Sequence, residues 1–471
     1  MSDKTHATGQ QWLRFLLLLA LYALLSLAFQ GLSLFFGYRR HVFGAEMLLA
    51  MLLFATGRKW FGAIVLLAAL VLELALGMSS VFYLFEKDQL WDMTEFLFQA
   101  RPAYLVALLM LPVLASVAIW IALSIQRGLG RNRNRIVLAQ VLVALGLFQG
   151  QWVLSAETET FFAPTLSDRQ HLLFGSTTHF IREVMLMNRL HTIGDRSDEY
   201  AEYVPIQHPS ATQTIWGAGL PTSGRVLLVV AEGWGLPKEP AVLDQQIEAL
   251  RRSPHVQMLR VDAVHAKGAT AAGELRELCW VVPTRMNFRK MTPQAVGDCL
   301  PAQLRRQGYG TVGIHGAHGA MYRRTLWWPQ VGLSESLFKE NIPLGQEPCY
   351  SFPGHCDRHL LDTVKNKLVA EKTFVYWLSL NSHMPYDRRD IAIYRKEFCS
   401  VWSADNYGEQ LCEYQNLHAQ FFEGLATLAE DDRMKGLEVL VVGDHPPLFN
   451  DEGFRDRFVR NQVPVLHFVV Q

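Results

Sequence analysis

The chain has 471 residues, with 44 basic and 44 acidic side chains and no formal net charge. That balance excludes a protein built to grip the nucleic-acid backbone, which needs a basic surface. Half of the residues are hydrophobic and only 19% are charged, against a usual ~25%, which excludes intrinsic disorder and argues against a wholly soluble protein. The apolar excess falls in the first 155 residues, and all six cysteines come after residue 278.

A helix needs ~20 apolar residues to cross a bilayer core about 30 Å thick. Five segments meet or approach that length: Trp12–Tyr38, His41–Thr56, Trp60–Phe85, Tyr104–Ile125 and Ile136–Leu154. The second is the shortest. The first is too long for the apolar region of a cleaved signal peptide. Glu46 and Glu73 are the ionisable groups inside these runs, so each is either functional or held by a helix end or a polar neighbour. Lys4, Arg14, Arg58, Lys59 and the arginines of Gln126–Arg135 fall on one side if the N-terminus is inside. Five spans then put everything after Leu154 outside, which in a bacterium with two membranes is the periplasm. The expected location is therefore the bacterial inner membrane, multi-pass.

Residues 156–220 mix aromatic and aliphatic residues (Phe161, Phe162, Leu172, Leu173, Phe174, Phe180, Met185, Met187) with charges. They read either as amphipathic helices on the membrane surface or as an ordinary packed linker. From Arg225 onward, short apolar runs alternate with helical stretches. Arg225–Val230, Gln257–Val261, Thr311–Ile314, Thr373–Leu380, Glu438–Val442 and Val463–Val470 predict buried strands of a largely parallel sheet covered on both faces. Ligands of such sheets bind beyond the strand C-terminal ends, so chemistry is expected just after these runs.

The first run ends in Glu232-Gly233, where glycine lets the backbone turn and a carboxylate reach a cation. The fifth ends in Asp444-His445, an oxygen and an imidazole ligand suited to Zn2+ or Mn2+. Between them, the loop Lys267–Gly273 enters a helix with Thr270 near its start. There a hydroxyl is either a helix cap or a nucleophile favoured by the helix dipole. His315 and His383 follow other apolar runs, and Tyr322 and Arg324 lie in the cluster Tyr322-Arg323-Arg324.

In this order the motifs resemble the alkaline phosphatase superfamily, in its membrane-anchored phosphoethanolamine and phosphoglycerol transferase branch. That branch includes the lipid A phosphoethanolamine transferases and the lipoteichoic acid synthases. The resemblance covers about residues 225–471. It implies a five-helix transmembrane domain (1–155), an amphipathic linker (156–220) and a periplasmic catalytic α/β sulfatase-like domain with a mostly parallel central sheet (221–471). It implies one metal, Zn2+ or alternatively Mn2+, on Glu232, Thr270, Asp444 and His445. Thr270 is the implied nucleophile, with Glu274 at the spacing seen in the synthases. His315, Tyr322 and Arg324 are the implied headgroup residues, Arg324 holding a phosphate. His383 would assist the leaving group or the oxyanion and also contact substrate.

The implied reaction moves phosphoethanolamine or phosphoglycerol from a membrane phospholipid (phosphatidylethanolamine or phosphatidylglycerol) to an envelope glycan or lipid through a phospho-threonine. The alternatives are a phosphodiesterase or sulfatase-like hydrolase, or a non-catalytic partner of a glycan synthase. None of the cysteines begins the Cys-x-Pro-x-Arg sequence that sulfatases convert to formylglycine. Gly233 and Pro446-Pro447 depart from the residues common in the family.

The cysteines fall in sequence as Cys279 with Cys299, Cys349 with Cys356, and Cys399 with Cys412. An even number confined to the outward half fits an oxidising compartment, and local pairing matches the lipid A transferases. A structural zinc on Cys349, Cys356, His355 and His359 is the competing reading.

Overall fold

The computed structural model describes residues 2–36, 40–81, 102–127, 140–141, 143–144, 174–178, 203–217 and, within 221–471, all but 222, 285–287, 290, 344, 346–347, 353, 385, 403–407 and 450–451. The chain divides into two compact units, Met1–Ile193 and Gly194–Gln471.

The first unit contains helices α1 (Ser2–Phe36), α2 (Ala45–Ala55), α3 (Lys59–Val81) and α4 (Pro102–Gln126). Trp12–Ser33 and Lys59–Gly77 are long and apolar enough to cross a membrane; Ala45–Ala55 and Pro112–Gln126 are shorter apolar helical stretches. At 11 residues, α2 is about 16 Å long, half of a bilayer core, so the segment His41–Thr56 does not form a full span. The expected fifth span, Ile136–Leu154, lies almost wholly outside the described residues. Leu18, Tyr22, Met51, Phe54, Leu66 and Ala122 form the core of this unit.

Both ionisable residues of the apolar runs have partners. The Arg40 guanidinium donates to both Glu73 oxygens, Nε to Oε2 at 2.7 Å and Nη2 to Oε1 at 2.6 Å. Its Nη1 donates to the Ser26 carbonyl. Glu46, in the first turn of α2, accepts from Ser176 Oγ and the N–H groups of Thr177 and Thr178. Polar groups in apolar surroundings persist when they are paired in this way.

The second unit is built on a seven-stranded sheet. Its strands are β1 (Arg225–Ala231), β2 (Val256–His265), β3 (Gly310–His315), β4 (Glu335–Leu337), β5 (Thr373–Leu378), β6 (Glu438–Gly443) and β7 (Gln462–Val470). The spatial order is β2-β7-β6-β1-β5-β3-β4. Pairing is parallel from β6 to β4, and β7 runs antiparallel to both β6 and β2. Six strands coincide with the apolar runs of the sequence. The three-residue β4 carries no such run, and β2 is a half-exposed edge with Leu259 and Val261 open to solvent.

Four helices of this unit position the site: α5 (Ala211–Trp216), α6 (Thr270–Leu278), α7 (Asp357–Leu368) and α8 (Glu409–Ala429). Leu227, Val229, Val375 and Trp377 pack with Leu360 and Val364 of α7 and with Phe422 and Leu425 of α8. From the alternate position, Tyr376 reaches Glu274 of α6. With helices on both faces, the central strands bury nearly every residue, which is why they read as unbroken apolar runs. Part of the expected linker belongs to this unit. Tyr203–Pro205 pairs antiparallel with Val281–Pro283, and α5 starts with a capping box of Ser210 and Gln213.

Candidate active site

Strand register brings the candidate residues to one edge. Gly443 of β6 lies opposite Ala231 of β1, Val230 opposite Leu378 of β5, and Leu378 opposite His315 of β3. The next residues, Glu232, Asp444-His445 and the Ser379–His383 loop, therefore emerge side by side. Gly233 turns the chain with φ +61°, and its N–H donates to Asp444 Oδ1 at 2.8 Å. The Glu232 peptide is pinned at both ends: its N–H donates to Ser379 Oγ, and its carbonyl accepts from Ser382 Oγ.

Helix α6 completes the group. Thr270 is its first residue, and the N-cap is Ala269, which has no capping side chain. The Thr270 hydroxyl is thus not a cap. It donates to Glu232 Oε2 at 3.1 Å and lies 3.5 Å from His445 Nε2. Gly273 lets the helix approach so closely: a Cβ there would sit 2.8 Å from Asp444 Cβ.

Glu232, Thr270, Asp444 and His445 are all buried. Suitable ligand atoms of Glu232, Asp444 and His445 lie within 4.8 Å of one another. His445 Nδ1 faces the Pro446 carbonyl at 2.9 Å. That contact calls for the proton on Nδ1 and turns the Nε2 lone pair inward. Nε2 lies 3.2 Å from Asp444 Oδ2 and 3.6 Å from Glu232 Oε1. Among the described residues, Asp444 Oδ2 has no hydrogen-bond donor.

A buried set of converging lone pairs with one orphaned carboxylate oxygen fits a divalent cation. Two oxygens, one imidazole and one hydroxyl suit Zn2+ or Mn2+. Without a cation the group compensates by holding protons. Burial, reinforced by Glu232, pushes Asp444 up to about 7. Burial opposes charge on His445, but Asp444 and Glu232 outweigh it and hold its pKa above the ordinary histidine value.

The other expected residues take different places. His383 is half-buried, its Nδ1 facing the Met384 carbonyl at 2.6 Å and its ring against Phe352. Burial lowers its pKa, and its charged neighbours are His445 and Asp444. His315 is buried at the end of β3, with Nδ1 3.0 Å from the Leu378 carbonyl. Burial, with Arg324 nearby, pushes its pKa well down. Tyr322 and Arg323 both adopt left-handed conformations, φ 53° and 56°, a strained pair for residues with side chains.

Arg324, expected to hold a phosphate, has a buried carboxylate as its partner. Only 1% exposed, it donates to Glu274 Oε1 through Nε at 2.9 Å and Nη2 at 2.7 Å. Glu274 Oε2 also accepts from Trp328 Nε1 and Tyr376 Oη. Arg324 ties its loop to α6, and the pairing is unreadable in sequence because the partners lie 50 positions apart.

Sequence reasoning also missed three supporting groups. The Asp357 carboxylate accepts from the N–H groups of Leu380 and Asn381, anchoring the loop that carries His383. Burial pushes its pKa up to about 7. Arg276 and Glu277 of α6 are buried beneath Asp444. Nothing in the sequence marked them, since adjacent opposite charges near a helix end read as a solvated face.

The cysteines form three local disulfides: Cys279–Cys299, Cys349–Cys356 and Cys399–Cys412. The first closes the end of α6, and the second sits at the start of α7. The competing zinc site is excluded, since its two cysteines are bonded to each other and His355 Nε2 faces the Lys339 and Ile342 carbonyls.

No curated protein matches the chain. Among solved structures, it is similar to the lipoteichoic acid synthase LtaP from Listeria monocytogenes, at 15% identity over 55% of this chain and 71% of that one, with a TM-score of 0.38. It is similar to the Streptococcus pyogenes phosphoglycerol transferase GacH in complex with sn-glycerol-1-phosphate, at 12% identity over 53% and 68% of the two chains, with a TM-score of 0.35. It is also similar to the C-terminal periplasmic domain of EptC from Escherichia coli, at 14% identity over 53% and 74%, with a TM-score of 0.37. Residues 227–457, spanning β1 to the segment before β7, match the sulfatase family. Over these residues the second unit is therefore similar to the sulfatase family.

Proposed function

We propose that the chain is a metal-dependent transferase. It would move a phosphoethanolamine or phosphoglycerol headgroup from a membrane phospholipid to an envelope glycan or lipid through a phosphorylated Thr270. The observation that carries this reading is the Thr270 hydroxyl, free of any capping duty and 3.1 Å from Glu232. It sits at the start of a nine-residue buried helix, beside the unpartnered Asp444 Oδ2. The motif resemblance supports the headgroup and the lipid donor. The apolar helices of the first unit support a membrane anchor that keeps the site near lipid, in the bacterial inner membrane with the second unit in the periplasm. The three disulfides fit that compartment.

Glu232, Asp444, His445 and the Thr270 oxygen would hold Zn2+ or Mn2+, which when bound lowers the hydroxyl pKa and offsets phosphoryl charge. Glu232 orients the Thr270 oxygen and accepts its proton as the oxygen attacks phosphorus. The α6 N-terminus lies where negative charge develops. The Thr270–phosphorus bond forms as the bond to the diacylglycerol oxygen breaks, and that oxygen takes a proton from solvent water, while Glu232 keeps the Thr270 proton and returns it when Thr270 is displaced. With its Nδ1 committed to the Met384 carbonyl and its pKa lowered, His383 is neutral and offers Nε2 as the base for the acceptor hydroxyl. The acceptor then displaces Thr270. His315 and Tyr322 would contact the headgroup, whereas Arg324 supports their loop through Glu274.

The test is incubation of detergent-solubilised full-length protein with headgroup-labelled phosphatidylethanolamine or phosphatidylglycerol. Release of diacylglycerol with label retained on protein or glycan is expected. Release of free phosphoethanolamine or phosphoglycerol alone would instead mark a hydrolase.

A further inference from the structure

The helix that carries Thr270 also carries a clamp on the opposite side of the site. Arg276 is 4% exposed. Its Nη1 donates to the Asp444 carbonyl at 2.9 Å and its Nη2 to the Gly443 carbonyl at 2.7 Å. Its Nε donates to Glu277 Oε1 at 2.7 Å. Glu277, fully buried, spends its remaining capacity on α5, accepting from the Ala211 N–H at 3.4 Å and the Thr212 N–H at 3.0 Å. The Thr212 hydroxyl returns to the Glu277 carbonyl at 2.9 Å. Each of the three guanidinium nitrogens therefore donates one hydrogen bond, two of them to the carbonyls on either side of the Asp444 Cα.

We propose that Arg276 is a positioning residue for the cation site. Its planar fork, held square by Glu277 and α5, fixes the Gly443–Asp444 backbone against α6 and so sets the distance between the Asp444–His445 ligands and the Thr270 oxygen. The need is physical. Gly443 is the last residue of β6, paired with Ala231, and the Asp444 N–H still donates to the Ala231 carbonyl. Arg276 adds the hold on the Gly443 and Asp444 carbonyls, where the chain turns out of the sheet and the ligands could otherwise drift apart. A guanidinium meets two adjacent carbonyls at once, whereas an ammonium is a single point charge. Partners that orient ligands in this way tune metal affinity by 10–100-fold. The proposal rests on the metal reading of the site but not on the identity of the group transferred.

The experiment is calorimetric titration of metal-free, full-length protein in detergent with Mn2+ and with Zn2+, alongside thermal unfolding of the same metal-free samples. Arg276→Lys, which keeps the charge beside Glu277, is expected to raise the Kd for both ions by about 10-fold or more. The Tm of the metal-free protein should stay within a few degrees of wild type. The paired variant Arg276→Gln with Glu277→Gln removes both charges together, avoids a lone buried carboxylate and should show the same loss of affinity. A Kd within twofold of wild type in these variants overturns the proposal, whether or not Tm falls, because a merely structural arginine changes stability and leaves affinity alone. Wild-type protein that binds neither ion overturns the metal reading itself, and the proposal with it. Absence of headgroup transfer in a protein that binds metal leaves the titration fully readable.

Discussion

The Thr270 hydroxyl donates to Glu232 Oε2 at 3.1 Å across 38 residues of chain, joining the first turn of α6 to the end of β1. Since Ala269 is the N-cap, removing this hydroxyl takes away no cap, and the usual ~1 kcal/mol penalty for losing one does not apply. Thr270→Ala is expected to fold, bind metal and lose turnover by several orders of magnitude. Activity within tenfold of wild type in the headgroup-transfer assay would contradict the nucleophile assignment.

Metal affinity should depend on pH. In metal-free protein Asp444 is raised to about 7 from an ordinary 3.8. Its protonated form is favoured by the fold, so its contribution to stability is complete below about pH 4 and is lost as pH rises through 7. A cation needs the ionised carboxylate and the neutral imidazole, so its binding expels the protons that Asp444 and His445 hold. Affinity for Mn2+ should therefore rise with pH up to about 7. Calorimetry near pH 6 in two buffers of different ionisation enthalpy should show at least about one proton released. A Kd that does not change between pH 5.5 and 8 would contradict this. Asp444→Asn should abolish tight binding while the protein still folds.

The Glu274–Arg324 pair is a stability element. Both side chains are essentially inaccessible, and removing one partner of such a pair costs ~3–5 kcal/mol by stranding the other charge. Glu274→Ala should lower the Tm of the protein more than Glu274→Gln, which keeps an acceptor for Trp328 and Tyr376. An unchanged Tm in Glu274→Ala would show that Arg324 is free to serve the substrate instead.

Arg40 and Glu73 form the corresponding pair in the first unit, with both side chains fully buried. Arg40→Ala should cost ~3–5 kcal/mol, whereas Arg40→Met combined with Glu73→Leu should recover much of it. The readout is the fraction of protein that stays monodisperse in detergent after heating. Equal losses in the single and double variants would mean that the pair has no coupling.

Most of the sheet was legible because strands covered on both faces leave unbroken apolar runs, and polar residues that end such runs stand at the ligand-binding edge. That logic reaches Glu232, Asp444 and His445 directly. It fails for β4, too short to leave a pattern, and for α2, whose apolar run with its flanking residues looked longer than the 11-residue helix it forms. The Glu274 partner of Arg324 left no pattern either, because only the folded chain brings the two together. Arg276 and Glu277 were hidden for the same reason: a charged pair at the end of a helix reads as a solvated face, yet here it is buried between α5 and the Asp444 carbonyl. Supporting contacts of this kind depend on long-range pairing, whereas strand-end ligands depend on local pattern.

The covalent step is the centre of the account, and intact-peptide mass spectrometry tests it most directly. Wild-type protein, loaded with Mn2+ or Zn2+, is incubated with donor phospholipid without acceptor, quenched in acid and digested. The peptide containing Thr270 should gain the mass of a phosphoethanolamine or phosphoglycerol group, and the gain should vanish in Thr270→Ala. An adduct on another residue, or turnover of donor lipid with the Thr270 peptide unmodified at every time point, would contradict it.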